Sequence, residues 1–253
     1  MKKVIGSLLM SGALLGTVVA PLVANADDTT AATENRAGST EVTTTFTPST
    51  KTVTPVDPDN PNKPIDPGDN NGAHAGGGLS LIYAPTSFDF GSHEIDVLND
   101  KTYNLDTTSA NTKLLQSNAV LEVSDVRGTN AGWTLTATAG TLTNVTDGTT
   151  TPKTLGTDTI KGAQISLPGG KVSNSGVTGT SNGATPTNSI TTLNLDSKGS
   201  TQQLLGAKNG SGAGVTVDKL DPANITLSIP ANTAKAETYS TNITWALSDT
   251  PAS

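Results

Sequence analysis

Beyond Gly78, apolar residues alternate with polar ones through most of the chain. Leu79, Leu81 and Tyr83 share one face; so do Leu121 and Val123, then Trp133, Leu135 and Ala137, then Ile225, Leu227 and Ile229, and finally Tyr239, Ile243, Trp245 and Leu247. A period of two puts these side chains on one side of extended strands and the intervening Thr and Ser on the other. Turn-forming residues at Gly91, Asn130, Gly140, Gly148, Gly169-Gly170, Gly183 and Gly210 separate the runs, which predicts antiparallel connections. The expected fold is all-β, an antiparallel two-sheet sandwich (Ig-like or related) over residues 79–253, with a disordered Pro/Asp-rich N-terminal arm. Thr201 to Lys208 and Thr112 to Gln116 could each close a helical turn, but neither sustains the apolar stripe of a core helix.

The N-terminal third has a different pattern. Lys2 and Lys3 precede an apolar run from Val4 to Val23 and the small-residue triplet Ala24-Asn25-Ala26, which together read as a secretory signal peptide over residues 1–26. Residues 27–78 are rich in Thr, Asp, Pro and Gly, with Phe46 as the single aromatic residue, and read as a disordered arm. Pro55, Pro58, Pro61, Pro64 and Pro67 recur every third residue, matching the turn of a polyproline II helix and predicting a stiff spacer over 55–67. Ahead of it, Glu41-Val42-Thr43-Thr44-Thr45-Phe46 has strand propensity, with Val42 facing inward as a possible first strand of the domain.

Charge and cysteine content narrow the function. Without Lys2 and Lys3 the 15 bases fall to 13, against 22 acids, a net charge of −9. Nucleic acid is therefore a poor partner, and attachment to anionic wall polymers or lipids by charge alone is disfavoured. There is no cysteine, so an exported chain of this composition must be held by its core without disulfides.

Candidate chemistry is sparse. The two histidines, His74 and His93, have neither metal-ligand spacing nor a recognisable catalytic partner. His93 reads as a partly exposed strand residue. Glycoside hydrolysis needs paired acids beside an aromatic-lined cleft, and most of the eight aromatic residues fall on faces assigned to the core. Gly169-Gly170-Lys171 lacks the first glycine and the hydroxyl residue of a phosphate loop, and prolines interrupt the acidic stretches that resemble calcium loops. Leu167-Pro168-Gly169-Gly170 is internal and lacks the Thr of a sortase signal. No catalytic residue, metal site or cofactor is expected.

Two segments carry a resemblance. One runs from Val123 to Ala137 and contains Trp133-Thr134-Leu135; the other runs from Thr238 through Tyr239 to Trp245-Ala246-Leu247, with Tyr239 at the sixth position before the tryptophan. With Phe88-Asp89-Phe90-Gly91 near the domain start, the chain resembles the WxL-domain surface proteins of low-GC Gram-positive bacteria. The resemblance implies a cell-surface protein attached non-covalently to the wall through peptidoglycan, associated with co-encoded surface proteins including WxL-interacting proteins, and without catalytic activity. Its motif positions are Trp133, Leu135, Tyr239, Trp245 and Leu247. Trp and Leu two apart point the same way in a strand, so both pairs could equally be core; Arg127, Gly128, Asn130 and Asp249 would then be candidates for the binding surface. A host-facing adhesin subunit binding a matrix or cell-surface protein is the alternative function.

Overall fold

Strands form where the alternation is cleanest. The run Trp133–Ala139 alternates buried and half-exposed positions along its whole length, as a strand with one face in the core must. In the computed structural model, residues 38–68, 71–108, 115, 119–147, 153–175, 185–186, 190–195 and 201–253 are described. The chain divides into a segment ending at Thr44 and a unit from Thr45 to Ser253. The expected signal peptide lies outside the described residues, as does most of Thr112 to Gln116. Among the described residues, no helix is long and apolar enough to cross a membrane.

In chain order the strands are β1 (Val56–Asp57), β2 (Asn60–Pro64), β3 (Leu79–Tyr83), β4 (Lys101–Asn104), β5 (Val120–Asp125), β6 (Trp133–Ala139), β7 (Thr143–Asp147), β8 (Thr154–Thr159) and β9 (Gln164–Pro168). They continue as β10 (Lys171–Asn174), β11 (Thr185–Pro186), β12 (Ile190–Asn194), β13 (Thr201–Ala207), β14 (Gly214–Lys219), β15 (Thr226–Ile229), β16 (Tyr239–Ser240) and β17 (Ile243–Ser248). The fold is all-β and antiparallel, as expected. Its strands are divided over several sheets, ordered β10-β14-β5-β3, β11-β13-β6-β17, β12-β9-β15-β4 and β16-β7-β8, with the hairpin β1-β2.

The three four-stranded sheets contribute to one apolar core, with Leu121 and Val123 from β5, Trp133 and Leu135 from β6, and Ile165 and Leu167 from β9. Strand β5 is buried at every position. Its other face meets a second cluster in which Val120 joins Val215 and Val217 of β14, Ile82 and Tyr83 of β3, and Val56 of β1. A strand covered on both faces tolerates a continuous buried run.

That second cluster overturns the expected polyproline spacer. Residues 56–64 form a hairpin, Val56 facing Pro64 and Asp57 facing Asn60 across the Pro58-Asp59 turn. Pro and Asp suit the turn, and prolines at 61 and 64 are tolerated because a two-stranded ribbon does not need every N–H. Val56 is 3% exposed and its N–H donates to Glu122 Oε2 at 2.9 Å. Apolar burial and this bond fix the segment against β5, and two of its acids find lysines: Asp57 pairs with Lys63 at 3.3 Å and Asp59 with Lys219 at 3.1 Å. The unit that contains the sheets thus begins at Thr45, upstream of the expected boundary at Leu79.

Glu122 is fully buried, and burial pushes its carboxyl up to about 8 against the opposing Val56 hydrogen bond. Tyr83 stands opposite it in the β3–β5 register. Burial first, and the Glu122 charge second, push the Tyr83 phenol up to about 12.

Two further expectations fail. Residues 41–46 belong to no sheet, and Val42 is 88% exposed rather than inward-facing, because strand propensity without a pairing partner makes no ladder. Thr201–Ala207 is strand β13, since pairing with β6 buries Leu204 and Leu205, which an isolated helical turn would not.

Candidate functional site

Strand β6 places the first Trp-x-Leu triplet at the centre of its sheet, between β13 and β17. Trp133 and Leu135 are both fully buried. The indole N–H of Trp133 donates to the Gly212 carbonyl at 3.1 Å, so the ring is satisfied inside the core. Gly212 has φ +83°, and a Cβ there would lie 2.6 Å from the indole nitrogen; only glycine lets the loop close over the ring. These two motif residues cannot touch a ligand without unfolding.

Strand β17 lies alongside β6 and pairs with it alone, Trp245 facing Ala137 and Leu247 facing Leu135. At the sheet edge, Ile243, Trp245 and Leu247 are only half-buried. Tyr239, on the short strand β16, is also half-buried and packs against the main core. The second triplet and its upstream tyrosine are therefore accessible where the first triplet is not.

Tyr239 and Trp245 line an open groove of about 1260 Å³ together with Phe88, Phe90 and Tyr103. Strands β4, β15, β16 and β17 and the loop 85–99 build its walls, while Leu142, Ile165 and Leu195 reach into its floor. The Phe88-Asp89-Phe90-Gly91 segment turns sharply here, Asp89 Oδ1 accepting the Gly91 N–H at 2.9 Å. His93, expected in a strand, lies in this loop: its ring stacks on Tyr103 at 3.7 Å and 12°, and its Nε2 lies 2.5 Å from the Phe90 carbonyl oxygen. That stack braces the loop against β4.

The rim is polar and charged. Asp96 accepts the N–H groups of Leu98 and Asn99 and pairs with Lys101 at 2.9 Å. The lysine ammonium first, then these N–H groups, hold the Asp96 carboxyl well below the usual range, and Asp96 in turn raises Lys101. Across the groove Lys235 binds Asp158 at 2.5 Å and is raised by it. The Tyr239 hydroxyl donates to Glu237 Oε2 at 3.3 Å and accepts the Lys235 N–H at 3.1 Å, which fixes the ring's orientation. Aromatic faces between fixed hydrogen-bonding groups suit a polyhydroxylated or amide-bearing ligand. Among the described residues, no three His, Cys, Asp or Glu side chains converge to hold a metal ion.

The family model of the WxL domain, described as surface cell wall-binding, matches residues 33–251. The chain belongs to the WxL family. Neither the curated proteins nor the solved structures contain a match to it. The WxL assignment makes this a cell-wall-binding surface domain. The groove gathers the family's second Trp-x-Leu tryptophan, its upstream tyrosine and the Phe-Asp-Phe-Gly segment in one place, and leaves the first triplet in the core.

Three of the turn residues offered as alternatives for the WxL binding surface have structural roles as well. Arg127 grips Asp125 through Nε at 2.9 Å and Nη2 at 2.8 Å, and Nη2 also donates to the Gly132 carbonyl at 2.8 Å. Gly128 and Asn130 adopt positive φ in the same turn, and the Asn130 carbonyl accepts the Gly210 N–H at 2.7 Å. Asp249 is exposed, and its charge acts on Arg127. Tyr103 escaped the sequence reading, because a lone aromatic between Thr and Asn gives no periodic signal; only the β4–β15 pairing brings it to the groove.

Proposed function

We propose that the chain is exported and attaches non-covalently to the Gram-positive wall by binding peptidoglycan in the groove of Phe88, Phe90, Tyr103, Tyr239 and Trp245, without chemical turnover. The convergence of these five rings on one open groove carries the reading. Ring faces stack against the apolar faces of sugars, and the rim carboxylates and hydroxyls take hydroxyl and amide groups. With a net charge of −7 the chain gains nothing from general attraction to an anionic wall, so short-range contacts of this kind must supply the affinity. Held at the wall, the domain would assemble with co-encoded surface proteins, WxL-interacting proteins among them.

Sedimentation of the purified protein with cell walls, before and after removal of teichoic acids, tests the proposal. Binding to stripped walls, weakened in a folded Trp245→Ala variant, is expected. A wild-type protein that never sediments with stripped walls would defeat the peptidoglycan reading and direct attention to a protein ligand, including a host matrix component.

A further inference from the structure

His93 and Tyr103 both line the aromatic groove, ring on ring, with centroids 3.7 Å apart and 12° between their planes. One face of the Tyr103 ring is therefore taken up by the imidazole. Tyr103 is half-buried and His93 is exposed, so the ring of this stack that solvent reaches most freely is the histidine. Its hydrogen bond fixes which ring nitrogen holds a proton: the Phe90 carbonyl can only accept, so Nε2, 2.5 Å from it, donates. In the neutral imidazole Nδ1 then carries a bare lone pair, and among the described residues it has no hydrogen-bond partner.

We infer that His93 is a ligand-contact residue of this groove, its Nδ1 accepting a hydrogen bond from a hydroxyl or acetamido N–H of the peptidoglycan glycan strand. The inference rests on the reading of the groove as the peptidoglycan site and names the part of the polymer held at its loop side. The same loop supplies further acceptors in Asp89 and Glu94, both exposed, while Lys101 of the adjoining strand β4 is already paired with Asp96. Acceptors beside a cation that is already paired suit a ligand that arrives with donors, and they repel the carboxylate end of a stem peptide. An amino-sugar ring meets both demands of the site. Its hydroxyl and acetamido groups carry donors at the rim of the ring, and its apolar face lies against aromatic rings.

Nitrogen NMR of the imidazole rings in the purified protein provides the test, with soluble glycan strands freed of stem peptides and the released stem peptides as separate probes. The chain has two histidines, and His74 does not line this groove, so it serves as the internal control. Glycan strands are expected to move the His93 Nδ1 signal and leave that of His74 in place, a change that a ring acting only as a brace would not show. His93→Phe keeps a ring over Tyr103 but removes the acceptor. It should bind glycan strands about three- to tenfold more weakly with an unchanged circular dichroism spectrum, the loss of one neutral hydrogen bond. Wild type that sediments with stripped walls while the Nδ1 signal stays unmoved, a His93→Phe variant that binds like wild type, or a shift produced by stem peptides alone would overturn the inference and leave the groove reading standing. Wild type that binds neither probe nor stripped walls would overturn both.

Discussion

Leu135 and Leu247, the last residues of the two Trp-x-Leu triplets, face each other across the β6–β17 pairing, one fully buried and the other at a half-open sheet edge. The tryptophans divide in the same way. Trp133 is sealed beneath Gly212, while Trp245 stands in the wall of the aromatic groove. One triplet builds the fold and the other presents a surface.

The division predicts opposite outcomes for equivalent substitutions. Trp133→Ala should cost about 3–5 kcal/mol, because it empties a large fully buried site and orphans the Gly212 carbonyl. Trp245→Ala should leave the fold intact with a smaller loss and weaken wall binding by about tenfold, or ~1.4 kcal/mol. Urea denaturation and wall sedimentation on the same two variants separate these effects.

Gly170 gives a second test of packing. A Cβ there would lie 1.7 Å from Asp218 Oδ1, a fully buried carboxyl oxygen in the middle of a sheet. Gly170→Ala must displace that side chain or the β10–β14 pairing and should cost about 1–3 kcal/mol, read from the shift in denaturation midpoint.

Two buried carboxyls make stability depend on pH in an uncommon direction. Glu122 rises to about 8 from an ordinary 4.5, and Asp218 to about 7 from 3.8, in both cases chiefly through burial. The folded chain therefore holds these protons more tightly than the unfolded chain does. Their stabilising contribution is complete below the ordinary values and shrinks as pH rises, lost for Asp218 through about 7 and for Glu122 through about 8. The expected loss between pH 5 and 9 is on the order of several kcal/mol, measured by urea midpoints. Glu122→Gln should flatten the upper part of that slope, and hydrogen exchange at Val56 should report whether the β1–β2 hairpin loosens first, since its amide bonds Glu122 directly.

Arg127 provides a fourth prediction. Its guanidinium satisfies Asp125, whose side chain is 1% exposed, and ties it to the Gly132 carbonyl beside Trp133. Arg127→Ala should destabilise by about 2–3 kcal/mol, because a buried carboxylate loses its partner, while wall binding by the folded fraction stays unchanged. A selective loss of binding without a change in midpoint would instead make Arg127 a contact residue.

The sequence by itself determined the strands and the class of fold, because a period of two survives in one dimension: Trp133 to Ala137 and Ile243 to Leu247 could be nothing else. It also carried the family, through Trp-x-Leu triplets whose residue types are local facts. It misjudged residues 55–67, where the proline period suggested a free rod, because the partners that make a hairpin there, Glu122 and the valines of β14, lie far along the chain. Only the tertiary structure decided which triplet is core and which is surface. Both have the same local pattern, and the difference is a matter of neighbours: β6 has a strand on each side and β17 has one on a single side. Exposure at a sheet edge is a property of pairing between distant segments, so no local pattern encodes it.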